Sequence, residues 1–366
     1  MLVRPLSRLR IVISGGTVAA VSVALALPAP AGANDSLPKP GGAVASNKVG
    51  KGPKRVIAYW TRRRMSHATP LEVEPPNVPT SSPSSSSTAP AEPAGDPIVI
   101  DGDPPAGWED RTGGSSGERL GRGFGPGPPG TPGPIAFTSS ELTDTTAYPN
   151  RTHGNVFLTL GRSNYSCSAT VVNSPTLSVV LTAGHCVHYG GKHRPWATNW
   201  VFVPGYQDAV APFGTFVARE LFTTKGWRKR ARFAHDVGAA ALYPNATGQT
   251  VESVVGSRGV AFNQPRAQVY RSFGYPVQPV PKFDGESLWV CDSQYGYSDP
   301  YPEPRGPAQS AIGCDMGAGS SGGGWVVNDQ YLNSVNSFGY SFLPNVLFGT
   351  YFGDVAAKVY AAAVNG

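Results

Sequence analysis

Three short stretches of this 366-residue chain hold residue types that could do covalent chemistry together. They are Thr182-Ala183-Gly184-His185-Cys186, His235-Asp236-Val237-Gly238 and Gly319-Ser320-Ser321-Gly322-Gly323. A serine hydroxyl attacks a carbonyl poorly until a base removes its proton. A carboxylate behind the base fixes its tautomer and stabilises its cationic form. Glycines around the serine let a substrate carbonyl approach the backbone, where amides can hold the developing oxyanion. One such donor contributes roughly 3 kcal/mol at the transition state. Histidine, aspartate and a glycine-framed serine are thus the parts of an acyl-transfer site.

The order of the three narrows the architecture. Gly319-x-Ser321-x-Gly323 also matches a nucleophile elbow, but there the acid and the histidine follow the serine. The last histidine here is His235, so that arrangement is excluded. The order Asp, His, Ser would need an aspartate upstream of His185. Asp144 is available, yet it lies in a polar, Thr-rich stretch with no strand pattern around it. Only the order His, Asp, Ser uses all three motifs. Among rivals, Ser320 is turned away by the register of the serine motif. His188 and His193 lie in a loop rich in Gly, His and Lys and are expected to be exposed. His235 is expected to point to the other side of the chain from Asp236.

These stretches resemble the trypsin-like serine peptidases of the chymotrypsin fold. The runs Cys314-Asp315-Met316-Gly317-Ala318-Gly319-Ser320-Ser321-Gly322-Gly323-Gly324-Trp325 and Thr198-Asn199-Trp200-Val201-Phe202-Val203-Pro204 are similar to secreted actinobacterial members and their glutamyl-endopeptidase relatives. The resemblance covers roughly 148–366. It implies His185 as base, Asp236 as its orienting partner and Ser321 as nucleophile, with an oxyanion hole from the amides of Gly319 and Ser321. It implies a substrate edge at Ser337-Phe338-Gly339, where peptide backbone adds as a strand. It places Asp315 at the bottom of the primary specificity pocket, against Arg or Lys of a protein or peptide substrate. Cys314 departs from the trypsin pattern, and relatives with similar serine runs prefer acidic residues, so glutamyl-type specificity stays open. So do an esterase and an inactive binding protein on the same fold. Trypsin-type activation frees an Ile-Val-Gly-Gly terminus that pairs with an aspartate before the nucleophile. No such sequence occurs near 130–155, and Ser320 stands in the aspartate's place. A preformed site, or one controlled by the segment 34–134, is expected instead.

The elements that must position these residues read as strands. From about Tyr148, short apolar or alternating runs recur between Gly, Pro, Asn and Asp: 156–160, 168–172, 178–181, 200–203, 237–242, 268–273, 287–290, 324–327 and 332–338. This pattern predicts an all-β barrel or sandwich. The resemblance makes it two six-stranded antiparallel β-barrels, about 148–245 and 250–352, within a peptidase domain spanning 135–366. A helix is expected at about 353–364, capped by Asp354.

The N-terminus reads as an export signal over 1–33. Arg4, Arg8 and Arg10 precede an apolar run from Ile11 to Leu27 and the small-x-small site Ala31-Gly32-Ala33. That run is short for a membrane anchor. Residues 34–134 hold half of the 36 prolines and are expected to be a mostly disordered or extended propeptide or linker. The island Val56–Met65, around Tyr59-Trp60, differs; it resembles a propeptide motif and is read as either a docking segment or a sticky piece of linker. Four cysteines suit an oxidising compartment. They allow three pairings, of which the local one is Cys167 with Cys186 and Cys291 with Cys314; the first resembles a family disulfide. A zinc ligand role for Cys186 lacks a second Cys/His cluster, and no acidic cluster argues for calcium, so no cofactor or metal is expected. The net charge of +6 is diffuse. The dense cluster Arg228-Lys229-Arg230-Ala231-Arg232 reads as a solvated loop rather than a nucleic-acid stripe. A secreted monomer is the family default.

Overall fold

The computed structural model describes residues 37–73, 75, 95–108, 133–303 and 306–366. The export signal and the Ser81–Ser87 and Gly125–Gly130 runs lie outside the described residues. Four strands precede the first barrel: β1 (Val44–Lys48), β2 (Thr69–Pro70), β3 (Ile98–Ile100) and β4 (Phe137–Glu141). Barrel one comprises β5 (His153–Leu160), β6 (Ser163–Val172), β7 (Val179–Thr182), β8 (Thr198–Pro204), β9 (Phe216–Thr224) and β10 (Gly238–Leu242). Its antiparallel order β9-β10-β7-β6-β5-β8 closes through the β8–β9 pairing. After β11 (Gly259–Phe262), barrel two comprises β12 (Val269–Gly274), β13 (Trp289–Ser298), β14 (Ser310–Gly313), β15 (Gly324–Val327), β16 (Tyr331–Phe338) and β17 (Val346–Gly349). Its order β12-β13-β14-β17-β16-β15 closes through β12–β15. The protein is all-β, with two closed six-stranded antiparallel barrels.

Apolar side chains fill the barrels. Val156, Leu158, Val171, Val180, Leu181, Phe202 and Leu221 share the core of barrel one; Tyr270, Ile312, Trp325, Val327 and Leu347 share that of barrel two. β10, Gly-Ala-Ala-Ala-Leu, is buried throughout, and Gly238 is needed there because a Cβ would meet the Ala183 carbonyl at 2.7 Å. The C-terminal helix runs Asp354–Val364 and packs Ala356, Ala357, Val359, Tyr360 and Ala363 into the core of barrel one. Asp354 is the first helical residue, not the cap. The N-cap is Gly353, and the Asp354 carboxylate accepts from Asn263 Nδ2 at 2.8 Å.

Residues 37–73 depart from the expected disordered or extended linker. β1 pairs antiparallel with β9, and a helix at Pro53–Tyr59 buries Val56. Trp60 is buried against Phe157 and donates its indole N–H to the Asn199 carbonyl. The Tyr59 hydroxyl donates to Asn164 Oδ1. The island docks because its aromatic rings and amphipathic turn bury apolar area that the flanking Pro/Ser sequence lacks. β3 likewise pairs with β11.

The helix Val251–Val255 links the barrels and holds Glu252, whose carboxylate accepts from the Ser174 amide and the Ser257 hydroxyl. Burial pushes its carboxyl from 4.5 up to about 7. Between those values the folded state keeps a proton that the unfolded chain has lost. This contribution is therefore fully present at low pH and is lost as pH rises through about 7. In thermal melts from pH 4 to 8, Glu252→Gln is expected to gain stability relative to the parent as pH rises, with the difference levelling above pH 8. A constant difference would contradict the assignment.

Candidate active site

The cleft between the barrels collects the three motifs. His185 sits in a single 3-10 turn, Gly184–Cys186, directly after β7 and is fully buried. Its Nδ1 lies 2.8 Å from Asp236 Oδ2, and its backbone N–H donates to Asp236 Oδ1, also at 2.8 Å. Asp236 follows a 3-10 turn, Phe233–His235, and is fully buried. A Cβ on Gly184 would come within 2.9 Å of its Oδ1, so a larger residue there would force a neighbouring side chain to shift. Ser337 Oγ adds a third bond to that carboxylate, at 2.6 Å on Oδ2, and Thr350 Oγ1 donates to the Asp236 carbonyl. Three donors converge on one buried carboxylate, so its charge is met by hydrogen bonds rather than left bare.

Ser321 comes from barrel two, on the loop before β15, and is 8% exposed. It abuts the histidine turn: Sγ of Cys186 lies 3.5 Å from its carbonyl oxygen. The hydroxyl does not bond His185. It donates to the Leu71 carbonyl at 3.2 Å, while His185 Nε2 is buried without a hydrogen-bond partner among the described residues. Gly319 has φ +96°, and a Cβ there would meet the Tyr275 carbonyl at 2.7 Å; a Cβ on Gly322 would meet Thr182 Oγ1 at 2.1 Å. Both positions require glycine. The amides of Gly319 and Ser321 donate to no backbone carbonyl among the described residues. Ser320 faces away, its hydroxyl donating to the Gly317 carbonyl at 2.8 Å.

Two residues missed in the sequence hold this loop. Asn336, on β16, is 1% exposed and uses its whole amide: Nδ2 donates to the carbonyls of Ser320 and Phe273, and Oδ1 accepts from Ser272 Oγ and Trp325 Nε1. Its backbone exchanges bonds with Gly322 and Gly323. Ser168, on β6, donates its hydroxyl to the Gly319 carbonyl at 3.1 Å and its amide to the Ser321 carbonyl at 2.7 Å. Polar residues beside apolar strand positions were the only signal for either.

Beside Ser321, a pocket of about 570 Å³ opens on barrel two, lined by Asp315–Ala318, Ser320, Ser321 and the stretch Asn336–Leu347, which includes Ser337, Phe338 and Gly339. Asp315 reaches it, but its carboxylate is already paired with Lys282 Nζ at 2.5 Å. The sulfurs form Cys167–Cys186 and Cys291–Cys314 bridges. The exposure expected for His188 is wrong. It is 2% exposed, stands edge-on to Trp196 and accepts from the Gly190 amide; burial, helped by Arg228, pushes it down to about 4. His193 is exposed. His235 packs its ring over Gly226 and Gly306. Arg228, Lys229 and Arg230 of the basic cluster lie in a helix, Lys225–Arg230, rather than a loop; Ala231 is its C-cap and Arg232 lies beyond it. Thr224 caps it, and Trp227 anchors it on the His188 carbonyl.

No family model matches the chain. Among solved structures, it is similar to the protease Anisep from Arthrobacter nicotinovorans: 36% identity, 63% of this chain and 100% of that one, TM-score 0.56. It is also similar to the thermostable serine protease AL20 from an extremophilic microorganism, with 39% identity, 59% and 97% coverage and TM-score 0.54. Two closed barrels with a histidine–aspartate pair and a serine at their seam define a serine hydrolase scaffold. The chain belongs to the chymotrypsin-like serine protease family. A curated relative, the Extracellular metalloprotease of Bacillus subtilis, is 26% identical over 211 residues, and the chain spans 66% of its length. Among the described residues, the two groups that bring three candidate metal ligands together, Cys167–His185–Cys186 and Cys291–Cys314–Asp315, have all their sulfurs in disulfides.

Asn336→Asp keeps the shape but replaces two donated hydrogen bonds with repulsion at the Ser320 and Phe273 carbonyls. It is expected to lower kcat about 100-fold, with KM changed little, because the loop bearing Ser321 and the proposed oxyanion donors loosens. A rise in KM at unchanged kcat would contradict that role.

Proposed function

We propose that the protein is a secreted serine endopeptidase acting through His185, Asp236 and Ser321. His185 Nε2 takes the Ser321 proton as Oγ adds to the scissile carbonyl. Asp236 keeps the Nδ1–H tautomer in place and stabilises the imidazolium. The oxygen of the tetrahedral adduct is held by the amides of Gly319 and Ser321. His185 then protonates the leaving amine, and water hydrolyses the acyl-enzyme by the same relay in reverse. The observation that carries the reading is the buried Asp236 carboxylate, engaged twice by His185 and once by Ser337 from the other barrel. The chain is synthesised with an export signal at 1–33 and a propeptide at 34–134, and works as a monomer on protein or peptide substrates, without metal or cofactor.

Asp315 supports a primary preference for Arg or Lys. The Lys282 ammonium on that carboxylate supports a second reading: an acidic side chain would meet Lys282, whereas Arg or Lys must first displace it. Cleavage of a diverse peptide mixture, with cut sites sequenced, separates them. Cuts that vanish in Ser321→Ala establish the triad, and their residue type establishes the pocket. If cuts fall after Arg and Lys, Lys282→Ala is expected to raise kcat/KM on those substrates by about tenfold, since the pair is partly solvent-exposed. No cutting by either form, with residues 34–134 present or removed, would indicate an inactive binding protein on this fold.

A further inference from the structure

The N-terminal segment does not stop at the outer wall of barrel one; it continues into the cleft. β2 pairs with β6 in parallel, Thr69 opposite Tyr165 and Pro70 opposite Ser166. The Leu71 amide donates to the Ser166 carbonyl at 3.0 Å, and Leu71, 4% exposed, accepts from Ser321 Oγ. Glu72 and Pro75 line the cleft beside Asp315–Ala318 and Phe338. Val73 packs on the cluster of Trp227, Phe233 and Phe338.

We propose that residues 69–73 are an autoinhibitory strap that occupies the substrate cleft with its chain direction opposite to that of a substrate. This rests on the peptidase reading above. In that reading the acyl-side residue fills the pocket on barrel two, so the N-terminal part of a substrate lies there and its leaving group lies over barrel one. The strap does the reverse. Residues 69–70 lie on β6 of barrel one, and Glu72 and Pro75 line the pocket on barrel two. Reversal is also written in the contact at the nucleophile. Attack requires the Oγ lone pair on a carbonyl carbon, with the carbonyl oxygen in the Gly319–Ser321 amide hole. Here Oγ donates its proton to the Leu71 oxygen, so it meets the oxygen end of the carbonyl. The proton that His185 must accept is thereby directed elsewhere, and the strap blocks the site without being a substrate for it. β1, Val56 and Trp60 tether the strap on barrel one, which raises its effective concentration at the cleft.

The test uses the full chain and two variants. Leu71→Asp puts a charge at the buried contact. Trp60→Ala loosens the tether away from the cleft and covers the case in which the first variant misfolds. Turnover of short peptides is expected to rise about 30-fold in Leu71→Asp and by a smaller factor in Trp60→Ala. Hydrogen exchange should show the Leu71 amide protected in the parent and in Ser321→Ala, and unprotected in Leu71→Asp. Mass spectrometry of the incubated parent should find the Leu71–Glu72 bond intact. Cleavage of that bond by Ser321 would overturn the reversed direction. Turnover equal in all forms, with an unprotected Leu71 amide, would overturn the strap while leaving the peptidase reading standing. No turnover in any form, although the residue-71 amide is unprotected in Leu71→Asp, would overturn the peptidase reading, and inhibition with it.

Discussion

The proposed base, His185, and the proposed nucleophile, Ser321, stand on different barrels, so the proposed chemistry depends on how rigidly the barrels are held at their seam. A misplacement of about 1 Å between reacting groups costs on the order of 100-fold in rate. The seam is fixed where it matters. Ser168 of barrel one binds the carbonyls of Gly319 and Ser321, while Ser337 and Thr350 from barrel two bind the carboxylate and carbonyl of Asp236. His153 of β5 stacks on Phe273 of β12 at 3.9 Å nearby, and burial keeps its imidazole well below the ordinary histidine range and so neutral. These bonds lie out of water, where each is stronger and where losing one strands a polar group.

The serine loop is held by amide chemistry rather than by charge. Ser320 stands where a trypsin-type enzyme carries the aspartate that receives a new N-terminus, and its hydroxyl is spent on Gly317. Asn336 satisfies the loop instead, through a side chain that binds Ser320 directly. Such a loop needs no liberated terminus to take shape. Under the strap proposal, control over the site falls to access, and the segment around Leu71 is the element placed to exert it.

Much of this was legible in the sequence because the reacting residues come with their own steric frame. Gly319 and Gly322 are required at close backbone approaches, so glycine patterns and chain order single out His185, Asp236 and Ser321 together as candidates. The barrels were legible as recurring apolar runs, but not completely. β14 and β17 are four-residue strands buried throughout and show no alternation. β9 contains Arg219-Glu220, a polar pair that masks a strand stabilised by partners on both sides. Composition marked 34–134 as linker. The order of 37–73 comes from pairing with strands far away in sequence, such as β1 with β9. The burial of His188 and the Lys282–Asp315 pair are likewise products of long-range packing that local pattern does not encode.

The most direct test of the central claim is covalent. A fluorophosphonate reacts only with a hydroxyl that a base has made nucleophilic, and digestion with mass spectrometry locates the adduct. The full chain and Leu71→Asp would be labelled side by side over several hours. A single adduct on Ser321, forming faster in Leu71→Asp and abolished by His185→Ala, is the result expected. An adduct on another residue, or none in either form, would contradict the account.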